Sequence, residues 1–336
     1  MAEMQTKTNV VQVAPVVAVA APLTDTMERM LGPYDVISVE QTPRGCLQEA
    51  FGCTARNEFV LYGGYREGRM SRNIFSGSGG PKEFTNEQIG YMLEESPFFP
   101  DRCFWSGMRK LQMPIKAPNQ DGEVMLNVVK DFSMPTHCIV HGNDGDLVIP
   151  CCCYLPSMRT VAPDGTIIGK AKYVCDSKCV NRIAPTPLPC PRSVPLLTAR
   201  VFGSRSCRLF VPKIMSYDQD GNKQYLVRPD TCCADCCPVC ECGNRGGNCL
   251  YMPFFIRDPM TLEKLPGGPG AQGEPAQIRN LWAGMKKECC TSANHYFIAF
   301  PQGVTTATKG SLIAATALLD FTVFEEKDGG CCIVSW

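Results

Sequence analysis

Cysteine is the residue type that most sets this chain apart, because it accounts for 22 of the 336 residues. Many cysteines are adjacent in the sequence: Cys151-Cys152-Cys153, Cys232-Cys233, Cys236-Cys237, Cys289-Cys290 and Cys331-Cys332. Disulfide frameworks belong mainly to small secreted domains that cannot build a core, whereas 44 % of this chain is apolar. The composition therefore favours a reducing environment with exposed thiol clusters.

The cluster from Cys232 to Cys249 offers the most defined chemistry. It contains two Cys-x-x-Cys pairs, formed by Cys233 with Cys236 and by Cys237 with Cys240, and this spacing can present four thiolates to zinc. The two pairs are contiguous, however, without the dozen or so residues that usually separate zinc knuckles. Thioacylation is therefore favoured over zinc, and thiols without a chemical role are the third alternative.

The candidate acylation sites all lie beside another cysteine: Cys151, Cys152, Cys153, Cys232, Cys233, Cys236, Cys237, Cys331 and Cys332. The triplet at 151–153 has no metal-ligand spacing of its own. The pair at 331–332 follows two glycines near the end of the chain, which suits a terminal lipid attachment. It is not a prenylation box, because Cys332 stands five residues from the end.

Signals for enzyme chemistry are sparse. The three histidines are His137, His141 and His295; the first two flank Cys138 and could ligate a metal, although two loop histidines are the simpler interpretation. No Walker loop, HExxH motif or dinucleotide-binding glycine motif occurs. Lys plus Arg equals Asp plus Glu at 33 each, so charge gives no case for nucleic acid. We expect a protein that is not a metabolic enzyme and has no nucleic-acid partner.

Turn signals predict a fold built mainly from strands. Four Asp-Gly turns lie between β-prone runs, the strongest hairpin signal in a sequence: 119–122, 143–145, 163–165 and 218–221. The order of strands, turn and cysteines recurs, which predicts two pseudo-repeated halves. Short helices are predicted at Thr24–Leu31 and Asn86–Glu95.

The apolar run Gly310–Phe324 should organise the fold. It has helical composition and is apolar all round, so it must be buried on every side, in protein or in lipid. Its 15 residues fall short of the roughly 20 that cross a bilayer, and Asp320 lies inside it. We therefore predict a core helix inside a closed antiparallel barrel, with a single membrane anchor as the alternative. The residues expected to pack in the core are Leu312, Leu319, Phe321 and Phe324.

These features predict one main domain with short appendages. The predicted divisions are a flexible Val/Ala/Pro-rich tail at 1–26, the barrel domain at 27–328 with loop insertions at 184–195 and 265–275, the central helix at 310–324, and a cysteine-containing tail at 329–336. A docking segment for a partner is the alternative for the N-terminal tail.

Several stretches together resemble the phospholipid scramblase family over about residues 28 to 330. They are Leu47–Leu61, Cys151–Tyr154 with Gly165–Lys170, Trp282–Lys287, and Asn294–Pro301 leading into Leu318–Glu325. The resemblance implies a barrel of about twelve strands around a C-terminal hydrophobic helix, similar to the tubby C-terminal domain. It also implies palmitoylated cysteines and calcium-linked movement of phospholipids between leaflets without ATP.

The resemblance also implies a calcium site just before the final helix, built from acidic residues. In this chain the segment from Thr291 to Thr305 contains neither Asp nor Glu, and the positions of the acids are taken by Ser292, Asn294, Gly303 and Thr305. Calcium prefers six to eight oxygens with carboxylates among them. We therefore expect calcium to bind weakly here, if it binds at all.

Two functions are consistent with these observations. The first is a membrane-associated scramblase-like protein that binds or moves phospholipid without ATP, held at the cytosolic face of a membrane peripherally or by covalent palmitate. The second is a non-catalytic scaffold that reuses the barrel within a larger protein assembly. In that case the Pro/Gly-rich loops at 184–195 and 265–275 would contact protein partners.

Overall fold

The structure is a computed structural model. The described residues are 25–42, 56–64, 87–96, 109–133, 137–140, 147–150, 155–174, 211–232, 237–238, 253–271, 273–281 and 294–324. Residues 1–24 of the predicted tail at 1–26, the whole predicted tail at 329–336 and the predicted loop at 184–195 lie outside this set.

Sixteen strands and two α-helices make up the described fold. The strands are β1 Val36–Gln41, β2 Glu58–Gly63, β3 Gln88–Leu93, β4 Leu111–Ala117, β5 Glu123–Lys130, β6 His137–Val140, β7 Leu147–Pro150, β8 Ser157–Val161, β9 Ile167–Tyr173, β10 Ile214–Asp218, β11 Lys223–Pro229, β12 Thr231–Cys232, β13 Cys237–Pro238, β14 Pro253–Arg257, β15 Gln277–Leu281 and β16 His295–Ala299. The helices are α1 Asp25–Leu31 and α2 Thr306–Leu319.

Twelve of the strands close into an antiparallel barrel. Its order is β1-β16-β15-β14-β11-β10-β9-β8-β5-β4-β3-β2, while β6 with β7 and β12 with β13 form two separate two-stranded sheets. Closure leaves the barrel without an unpaired sheet edge. The predicted closed, mainly β fold is confirmed, whereas the two pseudo-repeated halves remain a prediction.

The Asp-Gly turns work as the sequence predicts. Between β8 and β9, Asp164 accepts a hydrogen bond from the backbone N–H of Thr166 at 2.9 Å, and Gly165 adopts a positive φ of 90°. Between β10 and β11, Asp218 accepts from the backbone of Asp220 at 3.0 Å. Such bonds to the turn backbone stabilise the hairpin geometry through neighbouring residues alone. The turn at 143–145 lies outside the described residues, although β6 and β7 pair with each other.

The predicted helix at Asn86–Glu95 is wrong. Residues Gln88–Leu93 form strand β3, which pairs with β2 on one side and β4 on the other. Ile89 and Met92 are fully buried, and Gly90 lies where side chains of both neighbouring strands converge. The two flanking strands therefore override local helix composition, as often happens where a segment must fit a pleated surface.

The central helix begins earlier than predicted and includes a wider turn at its end. Helix α2 starts at Thr306 rather than Gly310, because Thr305 is its N-cap and accepts a hydrogen bond from Thr308 N at 3.3 Å. Beyond Leu319 the chain continues as a π-helical turn over Asp320–Phe324. All but one of the residues of α2 are buried. None of the helices within the described residues is long and apolar enough to cross a membrane.

The two ends of the barrel are named by α2: the helix-start end lies at Thr306, and the helix-finish end lies at Leu319 and the π-helical turn. Strand β16 runs along the wall from the helix-finish end to the helix-start end, and α2 runs back through the interior. At the helix-start end, Thr308 of α2 donates to Gln224 of β11 at 3.2 Å, and α1 packs over the opening through Met27 and Leu31, both fully buried. At the helix-finish end, α2 ends beside the beginning of β16.

Candidate functional site

Asp320 is the buried charge around which the helix-finish end is built. Asp320 is only 1 % exposed. Asn294 Nδ2 donates to Asp320 Oδ1 at 2.8 Å, and Tyr296 Oη donates to the same oxygen at 2.6 Å. A carboxylate inside an apolar core is tolerated only when such donors replace water. The start of β16 therefore supplies what the end of α2 requires.

A chain of amides extends from this carboxylate across the barrel wall. The backbone N–H of Asn294 donates to Gln41 Oε1 at 2.9 Å, and Gln41 Nε2 donates to Asn57 Oδ1 at 2.9 Å. Gln41 and Asn57 are both buried, at 1 % and 0 % exposure. The chain therefore ties the last residue of β1 to the segments just before β2 and β16.

The far end of this chain is a fully buried ion pair. Arg109 donates to both oxygens of Glu94, through Nε at 2.8 Å and Nη2 at 3.0 Å, and both side chains are 0 % exposed. Glu94 also accepts from the backbone and side-chain nitrogens of Asn57, and from the hydroxyl of Ser96. Burial alone raises the pKa of Glu94, but Arg109, Ser96 and Asn57 outweigh it and hold that pKa below its usual range.

Arg109 connects this ion pair to the end of α2 through Phe321. Its guanidinium lies 5.3 Å from the centre of the Phe321 ring, which is 2 % exposed in the π-helical turn. The backbone carbonyl of Arg109 also accepts from Lys130 Nζ at 3.0 Å. We call the set Gln41, Asn57, Glu94, Arg109, Asn294, Tyr296 and Asp320 the finish-end network. It fixes the end of α2 against the barrel wall through polar contacts.

Lys309 performs the corresponding task at the helix-start end. The residue is 4 % exposed, and its Nζ donates to the carbonyl oxygens of Leu31 at 3.0 Å, Gly32 at 2.8 Å and Tyr34 at 2.7 Å. These are carbonyls at and beyond the end of α1, where a helix leaves acceptors unsatisfied. Burial lowers the pKa of this ammonium group. Lys309 therefore joins α1, α2 and the approach to β1.

The last strands and the central helix also resemble a known protein family. Residues 272–326 match a protein-family model described as Scramblase. That stretch contains β15, β16, α2 and the π-helical turn, and with them both Lys309 and Asp320. The match and the twelve-stranded closed barrel confirm the predicted resemblance to the scramblase family. No solved structure matches the chain significantly.

The positions expected for a scramblase calcium site are not brought together. Asn294 lies at the helix-finish end, whereas Gly303, with φ of 72°, and Thr305 lie at the helix-start end. The five residues of β16 separate them, which corresponds to about 16 Å at roughly 3.3 Å per residue. Ser292 lies outside the described residues. Within the part of the chain that is described, no cluster of three His, Cys, Asp or Glu side chains could hold a metal ion.

Most of the predicted thiol chemistry falls outside the described residues. That holds for Cys151, Cys152, Cys153, Cys233, Cys236, Cys240, Cys331 and Cys332. Cys232 and Cys237 are placed through their backbones only, directly opposite each other in the pair of β12 with β13. Acylation of these clusters and zinc binding by Cys233, Cys236, Cys237 and Cys240 therefore remain predictions.

The histidines and the predicted core residues can be placed in part. His295 is 6 % exposed at the beginning of β16, with Nδ1 4.0 Å from Glu40 Oε1. His137 belongs to β6, and His141 lies outside the described residues. Leu312 and Leu319 are fully buried in α2, while Phe324 is the last residue of the π-helical turn.

The sequence interpretation missed the finish-end network. The signal that could have found it is Asp320, because an acid inside an otherwise apolar helix must have donors nearby. The same argument applies to Glu94 and Arg109, which flank buried strands. Their spacing in sequence does not reveal that they meet, because Glu94 follows β3 and Arg109 precedes β4, and only the pairing of these two strands brings them together.

Proposed function

We propose that this protein is a membrane-associated, scramblase-like protein that binds phospholipid and moves it between leaflets without ATP. The observation that supports the proposal is the Scramblase match over residues 272–326, which coincides with the part of the fold that fills and closes the barrel. At the family level this match indicates a lipid-related function and association with membranes. The transported lipid and the direction of movement are left to experiment.

The proposed membrane attachment is covalent palmitate on the cysteine clusters. Stable anchoring takes about two lipid signals, and the chain offers adjacent pairs and a triplet of cysteines. Acylated thiols would hold the barrel peripherally at the cytosolic face. Zinc in the cluster Cys233–Cys240 is the alternative use of the same thiols, and metal analysis of the purified protein separates the two.

The position of α2 supports lipid contact at the outside of the barrel rather than in its interior. Helix α2 is enclosed by the strands and packs against β8, β9 and β10, and its residues fill the interior where an acyl chain would otherwise lie. Phospholipid bound by this protein would therefore contact the outer wall or an end of the barrel.

Calcium is proposed to have only a weak effect on this activity. Asn294, Gly303 and Thr305 contribute at most neutral oxygens, and β16 keeps the first apart from the other two. Calcium sites that work at low concentration normally include several carboxylates. Lipid movement that rose steeply with micromolar calcium would show that acids elsewhere in the chain form the site.

The proposal is tested by lipid movement in reconstituted vesicles. The protein is purified in its acylated form, incorporated into vesicles that carry a fluorescent phospholipid, and assayed without ATP by chemical quenching of the outer leaflet. We expect quenching to proceed beyond the outer-leaflet half. The matched control is the same protein treated with hydroxylamine, which cleaves thioesters and should release it from the vesicles. Quenching that stops at one half with protein bound would refute lipid movement.

The alternative function is a scaffold, and one observation favours it. The segment Leu265–Pro275 is held as a defined surface, because Gly270 N donates to Asp35 Oδ2 at 3.0 Å and Gly268 N donates to Phe300 O at 2.9 Å. Loops fixed on a rigid frame often serve as binding surfaces. A protein that remains soluble with its acyl groups intact, and that moves no lipid, would favour this function.

A further inference from the structure

The cysteines are distributed unequally between the two ends of the barrel. Because neighbouring strands run in opposite directions, each connection begins and finishes at one end. The connections that begin and finish at the helix-finish end are 42–57, 94–110, 131–156, 174–213, 230–252 and 282–294, and the chain after α2, 325–336, leaves from the same end. All 22 cysteines belong to these seven segments. The connections at the helix-start end and the twelve barrel strands contain no cysteine in their sequence.

The helix-start end differs in charge. Its described residues lie in α1, in the turns and in the connection between β14 and β15. Counted with the strand residues that border these connections, twelve are acidic and four are basic, a formal net charge of −8: Asp25, Glu28, Asp35, Glu87, Asp121, Glu123, Asp164, Asp218, Asp220, Asp258, Glu263 and Glu274 against Arg29, Lys223, Arg257 and Lys264. Residues 65–86, which connect β2 to β3 at the same end, add four basic and two acidic residues in sequence, so this end stays net negative.

From these two observations we propose an orientation: the helix-finish end of the barrel lies on the surface of an anionic membrane, and the helix-start end faces the water. The inference rests on the membrane-associated function proposed above and adds which face of the fold binds the bilayer. The proposed acyl chains are attached as thioesters, and every thiol belongs to a segment that starts from the helix-finish end.

Electrostatics favours the same orientation. The cytoplasmic surface of a membrane is negative, which attracts nearby lysine and arginine and repels acids. Strand β4 has seven residues, so the two ends are separated by about 20 Å at roughly 3.3 Å per residue. That separation exceeds the Debye length of about 8 Å at physiological ionic strength. In the proposed orientation the end with a net charge of −8 is therefore screened from the lipid headgroups, whereas the reverse orientation would place it directly against them.

The described surface at the helix-finish end is compatible with such contact. Phe132 follows β5 and is 50 % exposed, and Lys110 and Arg56 are exposed at the same end of the barrel, just before β4 and β2. Glu95 is also exposed there, directly after β3. An acid at this position opposes binding to anionic lipid if the orientation is correct.

Two charge reversals test the orientation. Glu95→Lys adds two positive charges at the helix-finish end, and the matched control Asp220→Lys adds two at the helix-start end, in the exposed turn between β10 and β11. The acylated proteins are incubated with phosphatidylcholine vesicles with or without phosphatidylserine, and the bound fraction is measured by flotation. We expect Glu95→Lys to raise the partition coefficient on phosphatidylserine vesicles at least fivefold, as lysines near a membrane surface do. Asp220→Lys should stay within about twofold of the unmodified sequence.

The outcomes separate the orientation from the function on which it rests. Equal gains for both variants, or a larger gain for Asp220→Lys, would overturn the orientation while leaving membrane association in place. No gain for Glu95→Lys on vesicles that bind the unmodified sequence would also overturn it. Failure of the acylated protein to float with any vesicle would overturn the proposed function and the orientation together. Circular dichroism of both variants verifies that the barrel is retained.

Discussion

Replacing Glu94 by glutamine should weaken the fold more than its small change in shape suggests. Five hydrogen bonds converge on the Glu94 carboxylate, two from Arg109, two from Asn57 and one from Ser96. In Glu94→Gln one acceptor oxygen becomes an NH₂ group, so a hydrogen-bond donor then faces the donors of Arg109, Asn57 or Ser96. Arg109, 0 % exposed at its side chain, is then left as a buried charge without its counter-ion.

The expected loss follows from that burial. Breaking a buried ion pair by removing one partner costs about 3–5 kcal/mol of unfolding free energy, out of a total of about 5–15 kcal/mol for a folded domain. The matched control is Asp131→Asn. It breaks a pair with Arg159 of similar length, 2.9 Å, whose side chains are 56 % and 35 % exposed, and exposed pairs contribute about 0–1 kcal/mol.

The measurement is urea denaturation followed by far-ultraviolet circular dichroism at neutral pH, with equal m-values required for comparison. We expect Glu94→Gln to lose several times more unfolding free energy than Asp131→Asn. The double variant Glu94→Gln with Arg109→Met should recover part of the loss, because it removes the unpaired charge. A cost for Glu94→Gln no greater than that of Asp131→Asn would refute the reasoning that this pair is buried and essential.

Three further predictions use the same network and its surroundings. The pKa of Glu94 is held below its ordinary 4.5. The contribution of this carboxylate to stability is therefore complete above pH 4.5 and is lost as the pH falls through the lower pKa of the folded state. Acid denaturation should be less steep in Glu94→Gln than in the unmodified sequence, and identical pH profiles would contradict this. Lys309→Met removes the donor to the carbonyls of Leu31, Gly32 and Tyr34, which costs about 1–3 kcal/mol for each group left unsatisfied. Amide hydrogen exchange should therefore rise far more in α1 than in α2. An equal rise in both helices would count against the role of Lys309 in holding α1. Gly169→Ala would place a Cβ in steric conflict with Ser311 Oγ and 2.9 Å from the backbone oxygen of Tyr217 in β10, so it should lower the free energy of unfolding by about 1–3 kcal/mol. In urea denaturation the cost should shrink in a Ser311→Ala background, and an unchanged cost would show that the two positions do not touch.

Features that depend on a few neighbouring residues could be predicted from the sequence. The Asp-Gly turns carry their geometry in residues such as Asp164 and Gly165, whose hydrogen bond and positive φ require nothing from elsewhere in the chain. The apolar run that becomes α2 is equally local. Its earlier start at Thr306 was missed because the run of apolar residues, rather than the capping residue Thr305, was used to set the boundary.

Features that depend on distant residues could not be predicted. Strand β3 has too little alternation to exclude a helix, and only its partners β2 and β4 decide its conformation. The finish-end network joins Gln41 to Asn294, which are separated by 253 positions, so no spacing rule connects them. Sequence reasoning could infer that Asp320 needs donors, but choosing Asn294 and Tyr296 required knowing that β16 begins where α2 ends.

The contacts at both ends of α2 limit the ways in which the proposed lipid movement could take place. Withdrawing α2 from the barrel, as a membrane-inserting helix would require, breaks three hydrogen bonds of Lys309 and two of Asp320. Hydrogen bonds to charged groups contribute about 1.5–3 kcal/mol each, so these five together approach the whole stability of a folded domain. The strands would also lose the interior side chains against which they pack. Withdrawal of α2 would therefore unfold the barrel, and the lipid movement proposed above would take place at the outer wall or at an end of the folded barrel.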